Sequence, residues 1–267
     1  MFTEEHRRLY ERDGFFVVDD AVDPNMFEPL LEATIRTKKR VRAGEVDQFT
    51  HRAPDGEPWA IRGLFAPELG EPLFAKYLMS EPVMQYVRPF IGSELRLGGV
   101  LIFTNPYTKD YGFGWHRDFG TQERDGSYQI EMTILNRPMS GIKWHLAMVD
   151  DDCLQLVPGS HKRYRTAHER KCLLEKDMRN ADIPGQYTVS LKAGQTAFWS
   201  GNTIHRGVMK RETERLTLAG SWTKHTGSAK QTETDKRLKW MLARGVRGAL
   251  PQEMKPMYDR WRSLQLG

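Results

Sequence analysis

One histidine and one carboxylate stand two positions apart in this sequence, between glycines and aromatic residues: His116 and Asp118, in the segment GWHRDFG. With 8 histidines and 35 acidic residues among 267 positions, about one such pair is expected by chance. Residues i and i+2 of an extended segment project to the same side, so the two side chains can converge on one metal ion if this stretch is extended. The interpretation therefore depends on whether a third ligand exists.

A third candidate ligand is His205, which lies in the segment FWSGNTIHRG just after a predicted strand at 196–199. Two imidazoles and one carboxylate on one face of a metal leave coordination positions open, and this set is typical of non-haem Fe(II) oxygenases. A structural zinc site would be closed and usually richer in cysteine, and neither Cys153 nor Cys172 lies near the motif. The residue types therefore indicate iron rather than structural zinc.

A cation and a hydroxyl follow ten or so positions later, in the predicted strand ERLTLAGSW. The period of two places Arg215 and Thr217 on one face, together with two small residues, while larger apolar residues occupy the other face. The planar guanidinium fork matches the geometry of a carboxylate, so this face suits a carboxylate bound inside a barrel. The alternative is an exposed strand face with Arg215 in solvent.

The bulk composition restricts the class of protein. With 39% hydrophobic and 28% charged residues, the chain can bury a sizeable core, and no apolar run approaches the roughly 20 residues of a membrane-spanning helix. The N-terminal segment has no signal-peptide pattern, so we expect a cytoplasmic protein without a membrane partner. The net charge of +5 fits a small anionic substrate, whereas the basic clusters suit a helix end and a solvated face better than nucleic acid.

The elements that must position these residues follow from periodicity. Helices are expected at 3–13, 24–42 and within 71–90, with an interruption at Pro82, and a long loop at 44–70. Strands are expected at 15–18, from 94 onward with a period of two, and at about 128–136, 142–149, 154–157, 187–191, 196–199 and 215–223, with a hairpin turn at 136–141. This order predicts an α+β fold with an antiparallel core. We expect a single domain over 1–267, with a β-rich core at about 94–223, a helical N-terminal part and a C-terminal helical extension.

Several short segments occur together in a characteristic order: GFFVVDDAVD, GWHRDF, VPGSHK, FWSGNTIHRG and then Arg215. From about residue 14 to 222 the sequence resembles the phytanoyl-CoA dioxygenase-like Fe(II)/2-oxoglutarate-dependent oxygenases. The resemblance implies a double-stranded β-helix, the cupin-like jelly roll, with N-terminal helices packed on one sheet. It also implies that His116, Asp118 and His205 hold Fe(II), and that Arg215 pairs with the distal carboxylate of 2-oxoglutarate beside the hydroxyl of Thr217.

The same resemblance implies a reaction. A dioxygenase of this kind uses O2 and 2-oxoglutarate to hydroxylate an unactivated C–H of a small metabolite or natural-product intermediate, with release of succinate and CO2. Two alternatives stay open: the same cofactor chemistry with desaturation, epimerisation or cyclisation as the outcome, and a non-catalytic cupin-like binding protein. Around the metal motif the chain further resembles ectoine hydroxylases, but it departs from them at Gln122, where they have Trp, so ectoine is not the predicted substrate.

Three residues are candidates for substrate contact. Phe113 either walls the pocket or packs in the core. Arg117 stands between two ligands and must point away from them in an extended segment, toward substrate or toward solvent. Arg62, in the segment WAIRGLF of the predicted long loop, is either part of a lid over an anionic substrate or an ordinary surface arginine.

Overall fold

The computed structural model describes residues 1–46, 50–52, 56–118 and 127–266. Eight α-helices occur within these ranges: α1 (Glu4–Asp13), α2 (Pro24–Arg42), α3 (Leu73–Met79), α4 (Glu81–Ile91), α5 (Tyr128–Leu135), α6 (Ala167–Leu174), α7 (Val246–Ala249) and α8 (Lys255–Arg262). Short 3-10 helices lie at Ser160–Lys162, Lys176–Met178, Lys236–Leu242 and Gln252–Met254. None of the helices in the described ranges has the length and apolar character needed to cross a bilayer.

Thirteen strands accompany them in the described ranges: β1 (Phe15–Val18), β2 (Thr50–Arg52), β3 (Pro58–Ile61), β4 (Leu95–Thr104), β5 (Tyr111–Gly112), β6 (Gly141–Ala147), β7 (Asp151–Leu156), β8 (Tyr187–Leu191), β9 (Thr196–Trp199), β10 (His205–Met209), β11 (Leu216–Lys224), β12 (Thr232–Glu233) and β13 (Gln265–Leu266). A seven-stranded sheet has the order β1-β9-β6-β11-β4-β3-β2, and a four-stranded sheet has the order β5-β10-β7-β8. Every pairing within these two sheets is antiparallel.

The chain passes back and forth between the two sheets. From β4 to β11, four strands join the larger sheet (β4, β6, β9 and β11) and four join the smaller one (β5, β7, β8 and β10). Apolar residues of both sheets meet in one cluster, in which Leu154 and Val189 of the smaller sheet pack with Ala147 and Trp199 of the larger. Two facing antiparallel sheets built in this alternating order form a double-stranded β-helix, which confirms the predicted fold class.

The outer face of the larger sheet carries the main core. Alternation in β11 turns Leu216, Leu218 and Trp222 toward a large apolar cluster that also contains Leu30 of α2 and Val87 of α4. The opposite face of β11 is thereby left for the interior between the sheets. The N-terminal helices thus pack on one sheet, as predicted, and they support that sheet on the side opposite the site.

Three predictions about local structure are wrong. The predicted hairpin turn at 136–141 connects the helix α5 to the strand β6 rather than two strands. The segment predicted as a strand at 128–136 is the helix α5, because Ser127 caps it by accepting a hydrogen bond from the Ile130 amide, and because its buried residues, Glu131 and Leu135, are four apart. The predicted loop at 44–70 contains β2 and β3, and β3 pairs with β4 through Ala60 and Ile61. Strands this short leave too few positions for alternation to be read from sequence.

Candidate active site

The two candidate histidine ligands are paired neighbours, and His205 is the first residue of β10 in the smaller sheet. His116 forms an isolated antiparallel bridge with His205: the amide of each donates to the carbonyl of the other, at 2.9 and 3.0 Å. The centroids of the two imidazoles are 4.2 Å apart. Backbone pairing therefore brings together side chains that are distant in sequence, and the predicted extended conformation at His116 is present.

Backbone carbonyls fix the tautomer of both rings. Nδ1 of His116 lies 2.9 Å from the carbonyl oxygen of Gly114, and Nδ1 of His205 lies 2.8 Å from that of Thr203. Because a carbonyl can only accept, each Nδ1 must carry the proton, and each Nε2 keeps its lone pair for a metal. Burial is the main reason why the pKa of His205 is well below its usual value, and the nearby His116 lowers it further. The His205 ring is therefore neutral and able to coordinate a metal.

The carboxylate of Asp118 completes the group. The ligand atoms of His116, Asp118 and His205 all lie within 4.8 Å of one another. Burial alone would raise the pKa of Asp118, but the charge of Lys143 and the hydrogen bond from its ammonium outweigh it and hold that pKa far below the ordinary range. A deprotonated carboxylate beside two imidazoles is the donor set of an open iron site.

The neighbours of Asp118 hold it in place. Its amide donates to the carbonyl of Gly201 at 2.9 Å, and its Oδ2 accepts a hydrogen bond from Lys143 Nζ at 2.5 Å. A Cβ at position 201 would lie 2.5 Å from Oδ2, so any larger residue there would displace the Asp118 carboxylate. The Lys143 ammonium also lies 4.5 Å from the ring centroid of Trp199, and a bound cation would share the carboxylate with it.

Arg215 is buried inside the barrel, not in solvent. Its Nε donates to Oδ2 of Asp151 at 3.3 Å and to the hydroxyl of Thr217 at 3.2 Å, while Thr217 donates in turn to Asp151. Burial alone would raise the pKa of Asp151, but the charge of Arg215, the Thr217 hydroxyl and the Cys153 amide lower it to about 2. Among the described residues, none forms a hydrogen bond with the terminal nitrogens of Arg215, and these remain available to a ligand.

A second polar atom without a partner lies near Arg215. The hydroxyl of Tyr111 is buried and has no hydrogen-bond partner among the described residues. The ring of Tyr111 lies 6.4 Å from that of Trp59, which stacks on Phe103, the ring beneath the guanidinium of Arg215. Burial raises the pKa of Tyr111, and the charge of Arg215 opposes that shift. A buried polar atom left unpaired costs free energy, which a bound carboxylate next to Arg215 would recover.

Aromatic rings connect this arginine to the metal ligands. The guanidinium of Arg215 lies 4.6 Å from the ring centroid of Phe103, which stacks on Trp59. Phe113, three positions before His116, lies 4.3 Å from Trp59 between ring centroids and 6.1 Å from Tyr111. The predicted candidate Phe113 is thus half-buried in the aromatic group that also contains Trp59 and Tyr111.

Two cavities meet at Asp118, Lys143 and Ser221. One, of about 220 Å³, is also lined by Arg62 and Arg237, and we call it the cationic cavity. The other, of about 490 Å³, extends along α1 and the turn after α5. Asp118 lines this cavity as well. Residues 119–126, which include Gln122, lie outside the described residues. The predicted substrate candidate Arg62 therefore lines a cavity that reaches Asp118, one of the three candidate metal ligands.

The predicted contact of Arg117 with substrate or solvent has no counterpart in this arrangement. Its side chain points away from the ligands, as expected, but it is buried: Nη1 pairs with Glu131, and Nη2 donates to the carbonyls of Ser160 and Arg163 at 2.8 and 3.1 Å. Glu131 also pairs with Arg165 at 2.6 Å. Arg117 therefore ties the metal-binding segment to α5.

Sequence reasoning missed several site residues. Lys143 and His145 share the inner face of the predicted strand 142–149, opposite three apolar residues, so alternation could have found them. Burial and then the charge of Arg215 lower the pKa of His145 to about 3, so it is neutral. Asp151 and Tyr111 gave no signal, because one stands in a run of three acids that is typical of a turn and the other in a two-residue strand.

Comparison with known proteins agrees with this geometry. Residues 10–211 match the family model described as Phytanoyl-CoA dioxygenase (PhyH). A similar curated protein is the ectoine dioxygenase of Bordetella bronchiseptica, which is 23% identical over an alignment of 217 residues. The match covers 73% of this chain and 67% of that protein.

Solved structures share the fold at low sequence identity. The S. alaskensis EctD structure with 2-oxoglutarate and 5-hydroxyectoine has a TM-score of 0.63 at 16% identity, covering 84% of this chain and 77% of EctD. The non-heme alpha ketoglutarate dependent epimerase SnoN has a TM-score of 0.56 at 20% identity, covering 84% and 83%. EvdMO1 has a TM-score of 0.62 at 16% identity, and the match covers 83% of this chain. This chain spans about half the length of EvdMO1, since the match covers 50% of that protein.

Proposed function

Because the chain belongs to the phytanoyl-CoA dioxygenase family, we propose that it is an Fe(II)- and 2-oxoglutarate-dependent dioxygenase. The proposed reaction hydroxylates an unactivated C–H of a small metabolite or natural-product intermediate, with O2 as the oxidant and succinate and CO2 as the by-products. The observation that carries the proposal is the His116–His205 bridge, in which both rings present Nε2 beside the Asp118 carboxylate.

The donor set fits iron. His116, Asp118 and His205 would hold it, and three protein ligands leave positions for a cosubstrate and O2. The carbonyls of Gly114 and Thr203 keep the imidazoles in the coordinating tautomer. When bound, the iron centre supplies the oxidising chemistry, while the protein positions the reacting groups around it.

The space beside Arg215 fits 2-oxoglutarate. The terminal nitrogens of Arg215 form a planar fork for the distal carboxylate, and the unpaired Tyr111 hydroxyl would add a donor. Thr217 contributes indirectly, since its hydroxyl is committed to Asp151 and accepts from Arg215 Nε. In the proposal Asp151 and Thr217 orient the guanidinium, and the aromatic rings of Phe103 and Phe113 exclude water from the region between it and the ligands.

The ends of the chain support a single oxygenase domain over 1–267, which we also propose. Near the N-terminus, β1 extends the larger sheet by pairing with β9. Near the C-terminus, Arg260 of α8 donates to the carbonyl of Leu95 in β4 at 3.0 Å. Both terminal parts thus pack on the sheet that carries the site.

The first experiment measures 2-oxoglutarate consumption and succinate release when Fe(II) is added in air, with and without candidate substrates. We expect His116→Ala and Asp118→Ala to abolish turnover and to weaken Mn(II) binding, measured by electron paramagnetic resonance, by at least about tenfold. The matched controls are His168→Ala and the exposed Asp152→Ala. Unchanged turnover in either ligand variant would refute the assignment, and absence of any Fe(II)-dependent turnover in the wild type would favour the binding-protein alternative.

Product mass separates the outcomes that remain open. Hydroxylation adds one oxygen, desaturation or ring closure removes two hydrogens, and epimerisation leaves the mass unchanged. Because the protein shares its fold with the epimerase SnoN, the stereochemistry of any product of unchanged mass should also be analysed. A gain of one oxygen is the result that we expect.

A further inference from the structure

Among the described residues, the side chains that line the cationic cavity include one more positive than negative charge. Its lining includes three side-chain cations, Arg62, Lys143 and Arg237, and two carboxylates, Asp118 and Asp235. These come from distant parts of the chain: the end of β3, the strand β6, and a C-terminal 3-10 helix. The fold therefore gathers like charges in one place, which costs free energy that a bound anion would offset.

The two carboxylates are already engaged. Asp118 pairs with Lys143 at 2.5 Å and is also a proposed metal ligand. Both oxygens of Asp235 accept from Arg237 Nε at 2.9 Å. A metal on Asp118 would weaken its pairing with Lys143, so the cavity becomes more positive in the proposed enzyme.

The environment of Arg62 points the same way. Burial and then the charge of Arg237 lower the pKa of Arg62 to about 10, with Asp235 opposing that shift. Two guanidinium groups that repel each other in a partly buried space are stabilised when an anion lies between them.

Beside the polar His145 and Ser221, the cavity has an apolar wall. Leu101, Phe103 and Ala219 line the cavity on the side of the larger sheet. Its volume of about 220 Å³ is below the roughly 300 to 1,000 Å³ of pockets for drug-sized ligands. A ligand held by its charged group would lay a short carbon skeleton along this wall toward Asp118, where the metal ligands are.

We propose that the cationic cavity is the substrate subsite, and that Arg62, Arg237 and Lys143 select a small organic anion with a carboxylate or phosphate group. This inference rests on the proposed oxygenase function, because it takes the group bound there to be the substrate. Arg62 and Arg237 carry the selectivity, whereas Lys143 also serves Asp118.

Anion binding tests the proposal directly. Inorganic phosphate and acetate are titrated into the full chain in the presence of 2-oxoglutarate and followed by ³¹P and ¹³C NMR line widths. We expect Arg62→Gln/Arg237→Gln to bind one of the two probes at least about tenfold more weakly than the wild type, and the probe affected identifies the anionic group. The control is Arg247→Gln, an exposed arginine that is paired with Asp259 at 2.7 and 2.8 Å as Arg237 is with Asp235.

The outcomes separate this inference from the proposed function. If the wild type consumes 2-oxoglutarate with Fe(II), but neither probe depends on the two arginines, the inference is overturned and the function stands. If the arginines control anion binding without any Fe(II)-dependent turnover, the anion site stands and the substrate assignment is lost. Arg237→Gln alone keeps the test usable if the double variant does not fold, since Arg237 is 54% exposed.

Discussion

Two buried arginines flank the proposed site, and their hydrogen bonds differ in kind. Both terminal nitrogens of Arg117 bind protein atoms: Glu131 on one side, and the carbonyls of Ser160 and Arg163 on the other. Within the part of the chain that the structure describes, Arg215 binds protein through Nε alone, to Asp151 and Thr217. Burial by itself therefore does not distinguish a structural arginine from a ligand-binding one, but the donors left over after folding do.

This difference predicts different consequences of mutation. An arginine whose terminal nitrogens are committed to the protein should affect stability when it is replaced, and a fork left open should affect ligand binding. Four variants sharpen or break the comparison.

The largest effect is expected from Arg117→Met. Removing one member of a buried ion pair costs about 3–5 kcal/mol, and the lower end is expected because Glu131 keeps Arg165. Chemical denaturation gives the free energy of unfolding, and Arg8→Met, at an exposed i,i+3 pair with Glu5, should cost less than about 1 kcal/mol. A stable Arg117→Met with a raised KM for 2-oxoglutarate would reverse the two roles.

Arg215→Lys should act on the cosubstrate. Lysine keeps the charge beside Asp151 but loses the planar fork, and the loss of one charge-assisted hydrogen bond of about 2 kcal/mol raises the KM for 2-oxoglutarate roughly 30-fold. Turnover at saturating 2-oxoglutarate and the denaturation midpoint report whether the fold is intact. An unchanged KM would remove Arg215 from the cosubstrate site.

Asp151→Asn tests the group that orients Arg215. The variant leaves the guanidinium without its counter-charge, which should cost about 2 kcal/mol near neutral pH, less than at Arg117 because the Asn amide oxygen can still accept hydrogen bonds. Asp152→Asn on the exposed face should cost less than about 0.5 kcal/mol. The folded-state pKa of Asp151, about 2, is below its ordinary value. Its contribution to stability is therefore complete above about pH 4 and is lost as the pH falls toward 2. The difference between wild type and variant should vanish over that window.

The sequence predicts best where a role depends on regular local patterns. Alternation in β11 placed Arg215 and Thr217 on one face, and the i, i+2 spacing brought His116 and Asp118 together. Sequence reasoning failed where the role of a residue depends on a partner that is distant in the chain. Arg215 and Asp151, for example, are separated by 64 positions. In α5, apolar residues suggested a strand, because the buried face is marked by a carboxylate whose partners are arginines elsewhere in the chain.

The smallest effect, and the most specific, is expected from Tyr111→Phe. In the protein without cosubstrate the Tyr111 hydroxyl is buried and unpaired among the described residues, so its removal should leave the free energy of unfolding unchanged or raise it by up to about 1 kcal/mol. With 2-oxoglutarate present the same change removes a donor to the distal carboxylate, and the Kd should rise about threefold to tenfold. Calorimetric titration of 2-oxoglutarate with Mn(II) measures that Kd, and Tyr128→Phe, at an exposed tyrosine of α5, is the control. A gain in stability together with weaker binding is a combination that a packing role does not produce, because a tyrosine that serves only packing would leave the Kd as it was.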